Sequence, residues 1–217
     1  MNRAVWSNLR LPAIYTQPPG IVMWGGGGNA GPKVPLGNYT VKVTSGSWSS
    51  TQTFHLGGDP RFTPQMTDAE GAEQFRLANE VGGMIKTLYD DLAKIREAKK
   101  QAAAIAEKAP ADSPVRAAAK TLTTNLVAVE SELTQIQGEG GQDALNFPGR
   151  MDNQLIALYG ALANPDRRLG TPQLERYKDL KPEADKLLAR SKAALNTDIA
   201  TFNSVATKAG VGTIVLK

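Results

Sequence analysis

TDAEGAEQFRLANEVGGMIKTLYDDLAKIREAKKQAAAIAEKA, residues 67–109, decides the fold class. Thr67 followed by Glu70 is a capping box, in which each side chain satisfies the other's free backbone donor at a helix start. From there Leu77, Val81, Met84, Leu88, Leu92, Ile95, Ala102 and Ile105 recur at three- and four-residue steps, the mark of one buried helix face. At 1.5 Å per residue the run predicts a helix about 60 Å long. Gly82-Gly83 lies inside it and costs about 1 kcal/mol per glycine relative to alanine, so the pair reads as a close helix contact or a bend.

Helical signals continue to the end of the chain. Ser113-Pro114 is an N-cap followed by proline at the first helical position. The stripe Val115, Ala119, Leu122, Leu126, Val129, Leu133, Ile136 then steps 4-3-4-3-4-3, a heptad seam of the helix-bundle kind. Gly138 to Gly141 is expected to stop it. About four residues join these two helices, which predicts antiparallel neighbours. A third helix is expected over about 150–163, with Leu155, Leu158, Tyr159 and Leu162 on its apolar face. Thr171-Pro172 starts the last, which runs to about Lys208 and is expected to kink or divide at Pro182.

Upstream the period changes from 3.6 to 2. Tyr39, Val41 and Val43 alternate along residues 38–44, Ser45-Gly46 predicts a tight turn, and the return strand spans about 48–56. Ala4-Val5-Trp6 and Gly20 to Trp24 read as two further short strands. The fold class is therefore α+β and mainly α. A partial, immunoglobulin-like or fibronectin-like β-sandwich module over 1–62 precedes an antiparallel helical bundle of about four helices over 67–217. Four strands are too few for a sandwich of about seven. The edge near residues 3–9 is expected to be completed from outside this segment, with the apolar tail Gly212 to Leu216 as another candidate strand.

Composition narrows the chemistry. The 217 residues contain no cysteine and one histidine, which excludes disulfides, thiolate catalysis and multi-histidine metal sites. The net charge of +4 sits wholly in residues 1–66, where Arg3, Arg10, Lys33, Lys42 and Arg61 face one acid, Asp59. These five are scattered rather than clustered, against a nucleic-acid surface. No run is apolar enough to span a bilayer. Residues 2–7 lack the charged and apolar regions of a signal peptide. Gly25 to Lys33 resembles a phosphate loop but fails the Walker spacing, because Pro32 follows Gly31. His55 falls on the solvent parity of its strand with no serine–aspartate pairing nearby in sequence. Asp90, Asp91, Glu97, Glu130, Glu132, Asp179 and Asp185 are interleaved with Lys and Arg, as on a salt-bridged helix surface. No catalytic residue, metal ligand or cofactor is assigned. Trp6, Trp24 and Trp48, with Tyr15 and Tyr39, form either the core of the β-module or an aromatic binding surface.

Four stretches carry a family resemblance: Asn2 to Arg10, Pro19 to Gly26, Gly37 to Val43, and Asp59-Pro60-Arg61. The later run Gln142 to Pro148, followed by Asn153-Gln154-Leu155, adds to it. Together they resemble the C-terminal region of large bacterial exported proteins that carry sortilin-like, sialidase-type (BNR) β-propellers, often labelled glycosyl hydrolases. Ser7-Asn8 departs from the family, which more often has aspartate after the tryptophan. The family's propeller is absent from these residues, so no catalytic residue carries over. The resemblance implies export to the periplasm, cell surface or medium, and a partner that is an upstream propeller domain or another protein chain. The expected function is a non-catalytic structural or interaction module. The alternative is a carbohydrate-binding module or accessory domain of a glycoside hydrolase, with a glycan as ligand.

Overall fold

The computed structural model describes residues 5, 9–18, 30–138, 146–164 and 168–216. They form a mainly helical protein with one two-stranded antiparallel sheet. The strands are β1, Gly37–Ser45, and β2, Trp48–Leu56. The helices are α1, Asp68–Lys108; α2, Pro114–Leu133; α3, Met151–Leu162; α4, Thr171–Ala193; and α5, Ile199–Lys208. A π-turn, Ala194–Asp198, joins the last two. Most of the two further expected strands, at residues 4–6 and 20–24, lies outside the described residues, and so does the run Gln142 to Leu145.

Helix starts follow the local chemistry. Glu70 N donates to Thr67 Oγ1 at 3.3 Å, and the Glu70 carboxylate accepts from Thr67 N at 2.8 Å. Ser113 Oγ accepts from Val115 N at 3.3 Å ahead of Pro114. Two expected ends shift. α2 closes at Leu133 with Thr134 as its C-cap, before the glycines, so Ile136 leaves the seam and is 42% exposed. The last helix runs through Pro182 undivided. Proline there removes one donor, and Lys178, whose carbonyl loses that partner, is exposed to water.

Long-range contacts set the directions. Glu130 near the end of α2 binds Arg96 and Lys99 of α1, so the two helices are antiparallel. Thr134 Oγ1 donates to Asp152 at 2.7 Å, and Gln74 Nε2 donates to Leu162 O at 3.2 Å. α3 therefore continues the line of α2 down the N-terminal half of α1. α4 and α5 run parallel to α1, from Lys181 beside Glu80 to Val215, bound by Gln101, at the far end. Leu77, Ile85, Leu88, Leu92, Leu126, Leu155 and Phe202 are completely or almost completely buried between these rods.

The N-terminal third enters this same core. Tyr15, 4% exposed, belongs to the helical cluster, and Ile14 packs against it. Residues 9–11 pair with 32–34 through Leu11 N to Pro32 O at 3.0 Å and Val34 N to Leu9 O at 2.7 Å. Lys33 N then donates to Ala163 O at 3.1 Å, and Arg10 binds Asn164. Of the edge near residues 3–9, Leu9 is thus paired within the chain, and residues 3, 4 and 6–8 lie outside the described residues. The C-terminal tail lies on α1 and α5, held by Gln101 and Asn203.

Candidate functional site

The β1–β2 hairpin projects its side chains into solvent. Its two-residue turn is Gly46-Ser47, one position later than expected, with Gly46 at φ 57°. The register pairs Tyr39 with Phe54, Val43 with Ser50 and Ser45 with Trp48. One face therefore carries Tyr39, Val41, Val43, Trp48 and Phe54. Trp48 is 58% exposed and Val43 54%. Tyr39 and Phe54 stack with ring centroids 5.7 Å apart, and Tyr39 Oη donates to Pro35 O at 2.6 Å. The opposite face, Thr40, Lys42, Thr44, Ser49, Thr51 and Thr53, is polar and exposed. An isolated two-stranded hairpin is marginal in water, and contiguous exposed apolar side chains mark interaction surfaces. At its base His55 Nε2 lies 3.0 Å from Asp68 Oδ2, at the start of α1.

Of the three tryptophans singled out as a binding surface, Trp48 stands on this face, and Trp6 and Trp24 lie outside the described residues. Tyr39 joins Trp48; Tyr15 is instead a core residue, edge-on to Tyr159 with centroids 5.5 Å apart. Burial pushes the Tyr159 hydroxyl up to about 12, and it donates to Ala30 O at 3.1 Å.

The acidic groups have structural partners. The Asp59 carboxyl is held down at about 2 by hydrogen bonds from Arg61. Glu130 is almost fully buried between Arg96 and Lys99. Burial pushes the Asp152 carboxyl up, against hydrogen bonds from Asn153 and Thr134. Among the described residues no group of three or more His, Asp and Glu could hold a metal ion. No described helix is long and apolar enough to cross a membrane.

A cavity of about 720 Å³ was not foreseen. It opens between Thr87, Asp91 and Lys94 of α1 and the rod of α4, the π-turn and α5, where Leu188, Leu195 and Asn196 line it. Burial pushes the Asp91 carboxyl up, opposed by the adjacent Ser191 hydroxyl and by Lys94. Ile214 and Leu216 of the tail also line it. The sequence carries no signal for this wall, because Leu195 and Ile199 keep a four-residue step and the buried positions are small residues. Buried positions 184, 191 and 194 keep the three-and-four rhythm, and the next, Ile199, comes five residues on. A five-residue step is the period of a π-turn, which recurs at functional sites.

The chain matches no known family model, curated protein or solved structure.

Proposed function

We propose that this chain is a non-catalytic structural or protein-interaction module, the C-terminal part of a larger exported β-propeller protein, docking through the β1–β2 hairpin. The observation that carries this reading is the exposed face of Val41, Val43, Trp48 and Phe54, with half-buried Tyr39 beside them, on a hairpin with few neighbours among the described residues. Among the described residues no third strand joins this sheet; a sheet edge can take an added strand, and the apolar face offers area to a second sheet. Tyr39, bonded to the carbonyl four residues upstream, resembles the tyrosine corner of immunoglobulin-like sandwiches, which supports the hairpin as part of such a sheet. The placement in a propeller protein and the export rest on the family resemblance.

Hydrogen exchange tests this. Amides of 37–56 are expected to exchange rapidly in the chain alone and at least tenfold more slowly when it is joined to, or mixed with, a propeller domain encoded upstream in the same reading frame. Equal protection in both states sinks the proposal. The exposed Trp48 ring also favours a second reading, a glycan platform. Retardation in a polysaccharide affinity gel, lost in Trp48→Ala, separates it from protein docking.

A further inference from the structure

Gln74 is a carboxamide at a buried position of α1, 1% exposed. Its Nε2 donates to Leu162 O at 3.2 Å, the last carbonyl of α3, which has no partner within its own helix. Turning the amide over would set oxygen against oxygen, so this bond fixes which end of the group is Oε1. That oxygen is buried and accepts no hydrogen bond among the described residues. Gln173 of α4 repeats the deficit, with Oε1 buried and without a donor. Buried polar atoms are nearly always paired, and each exception calls for an explanation.

Both glutamines stand in the wall of one groove. Its first compartment, about 420 Å³, is lined by Phe62, Gln74, Gly160 and Gln173. Its second, about 490 Å³, is lined by Gln154, Leu158 and Arg176. Ala161 and Gln173 belong to both, and each compartment has the size of a small-ligand site. Phe62 is 38% exposed and offers a ring face. Arg168 in the first compartment is held by Glu70, and Arg176 in the second donates to Gln154 Oε1. Among the described residues no carboxylate lines either compartment. The occupant must bring donors to two carboxamide oxygens. An apolar molecule would leave those oxygens unpaired, and a protonated amine would meet two guanidinium groups with no carboxylate in the wall. Hydroxyl groups donate and accept, as carboxamides do, and a sugar ring carries them around a C–H face that can lie on an aromatic ring.

We propose that this groove is a binding site for a short saccharide chain, one ring to each compartment. One hydroxyl donates to Gln74 Oε1 and another to Gln173 Oε1, and Phe62 supports the ring in the first compartment. The site uses no residue of the β1–β2 hairpin and stands independently of both readings of that face.

The probes are cellobiose, maltose, xylobiose, mannobiose, diacetylchitobiose and digalacturonate, titrated into the full chain and followed in its nitrogen–proton spectrum. At least one is expected to shift the side-chain amide signals of Gln74 and Gln173 and to saturate with a Kd of about 1 mM or tighter. A Cβ on Gly160 would meet nothing within 4 Å, so Gly160→Leu fills the first compartment without a clash and favours the helix. It should weaken binding at least tenfold with helicity intact. Gln74→Met keeps the volume and removes the acceptor, and should also lose at least tenfold. Phe62→Ala should lose at least threefold, and Trp48→Ala should change nothing. The proposal is overturned if no probe binds, or if Gly160→Leu binds as the wild type does. Binding lost in Trp48→Ala instead would place the sugar on the hairpin and refute this site. A crystal soaked with the tightest probe and showing ordered water alone at Gln74 Oε1 would account for the unpaired oxygen by solvent and refute it as well. Propylamine that shifts the two amides where the sugars do not would assign the groove to a cation, against the proposal.

Discussion

Gly82 and Gly83 are adjacent in α1, so alanine at either position gains the same helix propensity, up to about 1 kcal/mol. Their surroundings differ. A Cβ on Gly83 would meet nothing within 4 Å. A Cβ on Gly82 would lie 2.7 Å from Ile14 Cδ1, 3.3 Å from Ile14 Cβ and 3.1 Å from Tyr159 Cε2. The Ile14 methyl can rotate away, but its Cβ and the tyrosine ring cannot, and overpacking of this kind costs about 1–3 kcal/mol. Gly83→Ala should therefore stabilise the protein by up to about 1 kcal/mol, or about 2–4 °C in Tm for a chain of this size. Gly82→Ala should range from neutral to about 2 kcal/mol destabilising, the difference of those two effects. Urea unfolding of the two variants, with Cm compared at constant m, measures both. Equal stabilisation by both would refute the reasoning. It would mean that Ile14 and Tyr159 do not close on α1 and that the N-terminal segment stands off the helical core.

Three further outcomes follow from the buried and exposed charges and rings. Asp152 holds its proton more tightly folded than unfolded, so stability falls as pH rises from about 3.9, the unfolded aspartate value, through the raised folded value. Asp152→Asn keeps an acceptor for Thr134 and cannot ionise, so its stability relative to wild type should grow over that window and then level off; parallel Cm–pH curves would contradict this. Removing Arg96 and Lys99 together by alanine strands the Glu130 carboxylate, 5% exposed, and should cost about 3–5 kcal/mol. Glu130→Gln leaves two cations that still reach water and should cost about 1–2 kcal/mol, so a reversed order in urea unfolding would show that the carboxylate is not the desolvated member. Trp48→Ala should leave Tm within the change expected of about 0.5 kcal/mol, since the ring is 58% exposed; a large calorimetric loss would mean that the indole is packed in the free chain.

Local chemistry was legible and long-range chemistry was not. The capping box at Thr67 and the Ser113-Pro114 start are each satisfied by residues within three positions, and the alternation of Tyr39, Val41 and Val43 by a partner strand one tight turn away. Their elements form as read. The seam of α2 was legible as far as Leu133; Ile136 continued the arithmetic but lay past a C-cap that no glycine announced. Pro182 signalled a kink or a division because it removes a hydrogen bond; the helix is not divided there, since the one lost bond faces water while the apolar face stays buried. Tyr15 was read among the aromatics of a β-module, and its insertion beside Tyr89 and Tyr159 depends on residues more than 70 positions away. Gln101 and Asn203 carried no signal at all, since a carboxamide on a helix looks like any surface residue until an extended chain lies across it. Of the candidate aromatic surface, Trp48 stands exposed at the turn end of the hairpin, a position the alternation alone did not separate from a core one.

The π-turn has a consequence for the chain's tolerance of length change. Five residues fill the interval from Ala194 to Ile199, where the rhythm before and after would use four. Removing one exposed residue there, such as Thr197, would leave Leu180 and Ala184 on one side, and Phe202 and Ala206 on the other, facing the core as they do now. Elsewhere in the rod, the same deletion would rotate everything downstream by about 100° and turn Phe202 toward water. The rod thus has one place where a codon can be lost without changing which side is inside, and that place forms the wall of the cavity.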